Sequence, residues 1–261
     1  MIAPGSGLAV LIASLIVSAH DPLTRGVAPV LREPRLALVP VPLDGEARDA
    51  WRSAIANDDT DALTLMLEHH PDGALVGTRT SNGKSALMVA CKLGDLALAK
   101  ALVARGARPS ESSVTGGTPF MFAVLGNRLA IARWLHAEGA AIDARGSNGW
   151  SATTIAAAKG LDDMLEWLLE IGAPTDVADL YGFTPLMRAI DNGHERAARR
   201  LLDAGARVSA ADELGNTALH HAMAGGRAAL VELLMDRGAD PARVNRDGQS
   251  ASSLAALPPT R

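Results

Sequence analysis

The sequence predicts an all-α fold in which short helix pairs stack side by side as a solenoid with β-turn fingers. One observation is a fixed period, since the dipeptide Gly-Ala recurs every 33 residues, at Gly106, Gly139, Gly172, Gly205 and Gly238. A second glycine keeps the same register, at Gly83, Gly116, Gly149, Gly182, Gly215 and Gly248. Aromatic residues make up only 3% of the chain, which suits thin, closely stacked helices. A 33-residue period indicates an array, here of about six to seven units including irregular terminal caps.

Residues 179–211 show how one unit is built. Thr184 can cap the N-terminus of a helix, and Pro185 suits the first helical position, where no N–H is needed. Gly193 breaks this helix, and a second helix follows until Gly205 stops it. Each unit is therefore predicted to run as turn, helix, short break, helix and loop.

These units resemble ankyrin repeats, whose signature is T-P-L-H-x-A. The signature position reads SALMVA, TPFMFA, SATTIA, TPLMRA and TALHHA, starting at residues 85, 118, 151, 184 and 217. Thr153 stands where leucine is usual, so the third of these units is expected to be the least regular. The resemblance covers residues 45–257. It implies an N-terminal cap at 45–81, regular repeats at 82–114, 115–147, 148–180, 181–213 and 214–246, and a C-terminal half repeat at 247–257.

The first 44 residues are predicted to lie outside the array. Residues 8–17 form an uncharged apolar run, and Val17-Ser18-Ala19 fits a signal-peptidase site, which predicts a signal peptide at residues 1–19. No Lys or Arg precedes the run, and an uncleaved membrane anchor is the alternative. Five prolines within residues 20–44 predict an extended linker. The predicted location is periplasmic or secreted, in a bacterium, or membrane-anchored if the segment is retained.

The sequence offers no residues for catalysis. The Gly-Lys-Ser at residues 83–85 lacks the upstream glycine of a phosphate-binding loop, because Thr78 stands there. The histidine pairs at residues 69–70 and 220–221 point about 100° apart on a helix and cannot chelate one metal ion from its face. One cysteine excludes an intrachain disulfide, and the net charge of −4 indicates no nucleic-acid footprint. The chain is predicted to be a non-enzyme without cofactors or metal ions, and without a nucleic-acid partner.

Two neighbouring fingers carry a cluster of aromatic residues. Trp150 and Phe183 occupy the same position in adjacent units, with Tyr181 beside them. In ankyrin arrays the turn tips and first helices line a concave groove, so the resemblance implies that a partner binds there. Aromatic residues are enriched at binding hot spots, although rings that pack on each other to stiffen the fingers would explain the same cluster. The predicted partner-binding residues are Trp150, Leu180, Tyr181, Phe183, Leu214, Asp191 and Asn192.

The predicted function is that of a monomeric, non-enzymatic module that binds a protein or peptide. A membrane-tethered scaffold and a small-molecule-binding accessory protein are the alternatives. The first alternative requires that residues 1–19 are retained, and the second requires a dedicated pocket between units.

Overall fold

A computed structural model of the 261-residue chain describes residues 45–254. Thirteen helices lie within this range: α1 (Gly45–Ala56), α2 (Thr60–His69), α3 (Ala86–Leu93), α4 (Leu96–Ala104), α5 (Pro119–Leu125), α6 (Leu129–Ala137), α7 (Ala152–Lys159), α8 (Asp162–Glu170), α9 (Pro185–Asp191), α10 (Glu195–Asp203), α11 (Ala218–Ala224), α12 (Ala228–Asp236) and α13 (Ala251–Leu254). Apart from two isolated β-bridges, all regular structure in the described residues is helical. The predicted signal peptide, the predicted linker and residues 255–257 of the predicted half repeat lie outside the described residues.

The first twelve helices form six consecutive pairs, and α13 follows as a single helix. The first helices of successive units pack together in one layer, from α3 through α5, α7, α9 and α11 to α13. In a second layer α2 packs against α4, and α8, α10 and α12 pack in succession. Because stacked units bury each other's apolar faces, two such layers form a solenoid. The predicted all-α solenoid is therefore confirmed.

The first helix of a repeat begins at a residue that caps its N-terminus. A serine or threonine side chain accepts a hydrogen bond from the backbone N–H three residues later in four repeats, at Ser85, Thr118, Ser151 and Thr184. These bonds satisfy N–H groups that would otherwise lack a partner at the start of a helix. In the next repeat the N–H of Thr217 donates to Nδ1 of His220 at 3.1 Å. Nε2 of His220 lies 3.3 Å from the main-chain oxygen of Gln249, so this buried ring links two neighbouring turns.

Glycine is required at both edges of the array for different reasons. We call the turns before the first helices the finger edge, and the loops after the second helices the loop edge. Gly182, on the finger edge, has a φ of +80°, and a Cβ there would lie 2.7 Å from the main-chain nitrogen of Glu213 in the next finger. Gly205, on the loop edge, has a φ of +87°, but a Cβ there would meet nothing within 4 Å. A side chain is therefore excluded at Gly182 by conformation and by contact, and at Gly205 by conformation alone.

Main-chain hydrogen bonds connect the fingers to each other. The N–H of one finger donates to the carbonyl of the preceding finger at 2.7–3.1 Å in five successive steps. The pairs are Val114 to Asn82, Ser147 to Thr115, Leu180 to Asn148, Glu213 to Tyr181 and Arg246 to Leu214. Such a ladder satisfies backbone groups that a single isolated turn would leave to water. It also fixes the spacing of the side chains that the fingertips present.

The repeat that contains Thr153 has a regular backbone. Its helix α7 has eight residues and starts with the same serine cap as α3. The irregularity lies in the packing instead. Thr153 is fully buried, and its hydroxyl has no hydrogen-bond partner.

Candidate binding surface

The fingertips of two adjacent repeats expose large apolar side chains. Leu180 and Tyr181, in one finger, are 62% and 65% exposed, and Leu214, in the next finger, is 61% exposed. Tyr181 and Leu214 hold the same position in the repeat, and the main chains of the two fingers are bonded between the Glu213 N–H and the Tyr181 oxygen at 3.1 Å. Exposed apolar side chains that cluster in this way are typical of interaction sites.

Trp150 and Phe183 are half-buried, and a guanidinium group contacts both rings. The Cζ atom of Arg188, on α9, lies 5.5 Å from the ring centroid of Trp150 and 4.1 Å from that of Phe183. Among the described residues these two rings make no direct contact with each other, and Arg188 contacts both. Arg188 thus ties two neighbouring fingers together by cation–π contacts.

The buried carboxylate of Asp179 holds Arg188 in place. One oxygen of Asp179 accepts hydrogen bonds from the N–H groups of Tyr181 and Phe183, at 2.9 and 3.1 Å. Its other oxygen accepts from Nε of Arg188 at 3.0 Å and also from the Nη2 group. The Asp179 side chain is fully buried, whereas 21% of the Arg188 side chain is exposed. One carboxylate therefore shapes the finger and orients the cation beneath it.

The next position along the array is occupied by His221, on α11. Its ring centroid lies 4.9 Å from that of Phe183. Its Nδ1 is 3.1 Å from a carboxylate oxygen of Asp191, and its Nε2 is 3.1 Å from one of Asp212. Burial lowers the pKa of His221, but the hydrogen bonds and charges of Asp191 and Asp212 outweigh burial and raise that pKa above its ordinary value.

Asp191 and Asn192 lie at the end of α9, where both are exposed. The side-chain amide of Asn192 donates to the main-chain oxygen of Arg188 at 2.9 Å. The carboxylate of Asp191 is bound by His221, while Arg227 from the next repeat donates to the main-chain oxygen of Asp191. Both residues thus take part in the junction between two repeats and still reach solvent.

The structure connects three of the seven predicted partner-binding residues through two residues that were not predicted. Arg188 connects Trp150 to Phe183, and His221 connects Phe183 to Asp191. The sequence does contain a signal for both residues. Arg188 and His221 are 33 residues apart, so they hold the same position in adjacent repeats. The same position carries apolar side chains in the three preceding units, at Val89, Phe122 and Ile155.

A different ion-pair group lies at the N-terminal end of the array. The carboxylate of Asp58 binds the ammonium groups of Lys84 and Lys92, the latter at 2.8 Å. Burial raises the pKa of Asp58, but the hydrogen bonds from the two lysines dominate and hold it below its ordinary value. Lys84 and Lys92 are thus paired within the protein.

Features typical of metal-binding, thiol-reactive and membrane-spanning proteins are absent from residues 45–254. No group of His, Cys, Asp and Glu side chains in this range could hold a metal ion. Burial raises the pKa of the Cys91 thiol far above its ordinary value, which disfavours a reactive thiolate. No helix in the described range is long and apolar enough to cross a bilayer.

Two open depressions lie on the described surface, and neither includes a predicted partner-binding residue. One, of about 340 Å³, lies between α11 and α12 and includes Met223, Arg227 and Val231. The other, of about 250 Å³, lies between α2 and α4 and includes Leu67, Asp95 and Arg105.

The stacked helix pairs and bonded fingers define a helical repeat protein. A family model described as ankyrin repeats (3 copies) matches residues 51–146, 120–212 and 154–245, which together exceed half of the sequence. The chain therefore belongs to the ankyrin repeat family, as its sequence indicated. This family generally mediates protein–protein interactions, and the match indicates no enzyme family.

Solved structures with the same fold include proteins from distant sources. The ankyrin repeat domain of human ASB11 is 30% identical, with a TM-score of 0.67, and the match covers 79% of this chain and 91% of that domain. A chain in the complex of the predatory endopeptidase Bd0816 from Bdellovibrio bacteriovorus with the immunity protein Bd3460 is 32% identical. Its TM-score is 0.60, and the match covers 65% of this chain and 90% of that one. The ankyrin repeat domain of Bcl-3, of the IkappaB family, is 26% identical with a TM-score of 0.65, covering 80% and 94%. No curated protein sequence matches the chain significantly.

Proposed function

We propose that this ankyrin array binds a protein or peptide partner through the fingers and first helices of the repeats that contain Trp150, Tyr181 and Leu214. The observation that carries the proposal is the exposure of Leu180, Tyr181 and Leu214 on two adjacent fingers. Burial of three such side chains by a partner would remove a substantial apolar area from water. The binding site itself would be non-catalytic.

The rigidity of these fingers supports the proposal. Asp179 fixes the backbone of one finger through the N–H groups of Tyr181 and Phe183, and the ladder bond from Glu213 joins it to the next finger. A surface that is ordered before binding loses little conformational entropy when a partner docks. Docking would then cost mainly the rotamer freedom of the exposed fingertip side chains, with little backbone entropy lost.

The composition of the surface also fits a protein partner. Trp150 and Arg188, which contacts the Trp150 and Phe183 rings, are residue types enriched at hot spots, and Phe is enriched at interfaces in general. Asp191 and Asn192 would form part of a polar rim beside them. One similar chain was solved within a complex of an endopeptidase and an immunity protein, and this precedent favours a protein over a small ligand.

The experiment begins with affinity capture by the full chain and continues with titration calorimetry on the purified partner. Combined substitution Leu180→Ala, Tyr181→Ala and Leu214→Ala is expected to weaken binding at least about 30-fold, because hot-spot truncations cost about 2 kcal/mol or more. Met235→Ala is the matched control, since Met235 is 41% exposed but lies on α12, in the second helix layer. Unchanged affinity in the triple variant would place the binding surface elsewhere.

We also propose that residues 1–19 direct the chain out of a bacterial cytoplasm, so that the array acts in the periplasm or in secreted form. The apolar run at residues 8–17 and the small residues after it support this proposal. Intact-mass measurement of the native protein is expected to find a chain that starts after Ala19. A full-length mass in a membrane fraction would instead support a membrane-tethered scaffold. Light scattering on the purified protein tests the expected monomer.

A further inference from the structure

His221 connects two adjacent repeats through both nitrogen atoms of its ring. Nδ1 faces Asp191, at the end of α9, and Nε2 faces Asp212, in the following finger, each at 3.1 Å. A neutral imidazole has one N–H and can donate to only one of these carboxylates, whereas an imidazolium donates to both. The observed geometry is therefore that of a charged ring between two carboxylates.

The two carboxylates differ in how strongly they depend on this ring. The Asp212 side chain is 2% exposed and also accepts hydrogen bonds from the N–H groups of Leu214 and Asn216, at 2.9 and 2.8 Å. The Asp191 side chain is 34% exposed and lies at the end of α9, on the preceding helix pair. A neutral ring would keep its proton toward Asp212, because the exposed carboxylate can be hydrated and the buried one cannot. Loss of one proton therefore breaks the bond that joins His221 on α11 to Asp191 at the end of α9.

We infer that His221 is a pH-sensitive positioning residue of the proposed binding surface, which holds Asp191 when charged and releases it when neutral. The functional part of this inference rests on the proposed partner-binding surface. Release leaves the Asp191 carboxylate free to accept hydrogen bonds from a partner and makes the surface one unit more negative. It also removes the cationic character of the ring that packs against Phe183. The surface at higher pH therefore favours a basic contact at Asp191.

The charged groups around His221 all belong to this junction. Asp191 and Arg188 come from α9, where Arg188 contacts Phe183, the ring that packs against His221, and Asp212 comes from the finger before α11. On the α12 side, Arg227, the residue before this helix, donates to the main-chain oxygen of Asp191. The Asp191 carboxylate is therefore left to His221. Helix α13, with the sequence ASSL, contributes no charged side chain.

The direction of the pH effect follows from the raised pKa of His221 in the folded protein. A group with a raised pKa contributes its full stabilisation below its ordinary value of 6.5, and that contribution is lost as pH rises through the folded-state pKa. The bond between repeats is thus complete in mildly acidic solution and is lost toward alkaline pH.

The first test follows the imidazole signals of His221 by NMR as pH is raised, in the full chain and without any partner. We expect the titration midpoint of His221 to lie above 6.5 and to fall in Asp191→Asn, which removes one charge from the ring's surroundings. Asp203→Asn is the matched control, because Asp203, at the end of α10, pairs with Arg237, which follows α12. This variant should leave the titration midpoint of His221 unchanged. A wild-type midpoint at or below 6.5, or an equal midpoint in Asp191→Asn, would overturn the inference.

The second test asks whether the ring positions the surface. The carboxyl carbon signal of Asp191 and the ring signals of Phe183 should shift with the same midpoint as His221 in the wild type. Both shifts should disappear in His221→Gln, which keeps a polar side chain but cannot titrate in this range. Signals of Asp191 and Phe183 that do not move with the His221 titration would refute the positioning role. Because no partner is present, failure here is distinct from failure of the proposed binding function.

Discussion

The finger edge and the loop edge of the array both carry a glycine every 33 residues, but the two glycines have different physical roles. On the finger edge the main chain of each turn approaches the next turn so closely that a Cβ on Gly182 would lie 2.7 Å from Glu213. On the loop edge a Cβ on Gly205 would lie in open space. At these two positions the same sequence signal therefore marks an inter-repeat contact in one case and a local helix end in the other.

This difference bears on where a partner can bind. The finger edge is held by the main-chain ladder and by the buried Asp179, so its backbone has little freedom. The side chains at its tips, such as Tyr181 and Leu214, are free of that constraint and point into solvent. A rigid backbone that presents variable tips allows the same array to be adapted to different partners without loss of the fold.

Substitution of glycine by alanine at the two edges measures this difference directly. Gly182→Ala is expected to lower the free energy of unfolding by about 3–4 kcal/mol, because it combines a positive φ with a main-chain clash. Gly205→Ala should cost only about 1–2 kcal/mol, since the left-handed conformation is the sole penalty. Urea unfolding followed by circular dichroism measures both values.

The two glycine variants control for each other, because both remove a glycine with a φ near +80°. Equal losses of stability would mean that the contact between Gly182 and Glu213 relaxes without cost. The finger edge would then be no more constrained than the loop edge.

The buried ion pair of the finger edge is the next largest contribution to test. Asp179→Asn keeps an oxygen for the N–H groups of Tyr181 and Phe183 but replaces the charged acceptor of Arg188 by a neutral amide. We expect a loss of about 2 kcal/mol in the free energy of unfolding, typical of a hydrogen bond to a charged group. Asp203→Asn, at the exposed ion pair between Asp203 and Arg237, should leave the free energy of unfolding nearly unchanged. A fully stable Asp179→Asn protein would show that Arg188 does not depend on that charge.

Local signals in the sequence were sufficient for the helices but not for the contacts between repeats. Caps such as Thr184, the proline after it and the stop at Gly205 act within a few residues, so the order of turn, helix, break and helix could be predicted. Arg188 lies 38 positions after Trp150, and His221 lies 30 after Asp191, and these contacts form only when repeats stack.

The predicted aromatic cluster illustrates the limit of sequence reasoning. The repeat period places Trp150 and Phe183 at equivalent positions, which predicts a binding hot spot, rings packed on each other, or both. The structure adds a contact of both rings with Arg188 that the period alone does not predict. The sequence signal for this contact is Arg188 itself, a charged residue at a position that is apolar in the three preceding repeats.

The smallest expected effect concerns Thr153, which takes the position that Leu87, Leu186 and Leu219 hold in other repeats. Thr153 is fully buried with an unpaired hydroxyl, which carries a desolvation cost and no compensating hydrogen bond. Thr153→Val replaces that hydroxyl by a methyl group of similar shape and is expected to raise the free energy of unfolding by about 1 kcal/mol.

Thr184→Val makes the matched comparison, because the Thr184 hydroxyl accepts a hydrogen bond from the N–H of Met187 at 3.3 Å and caps α9. This variant is expected to lose about 1 kcal/mol of stability, so the same chemical change should have opposite signs in adjacent repeats. The midpoints of urea unfolding for the two variants provide the measurement. If Thr153→Val lost stability as well, the buried hydroxyl would have to contribute a favourable interaction, and the packing of this repeat would be as well satisfied as that of its neighbour.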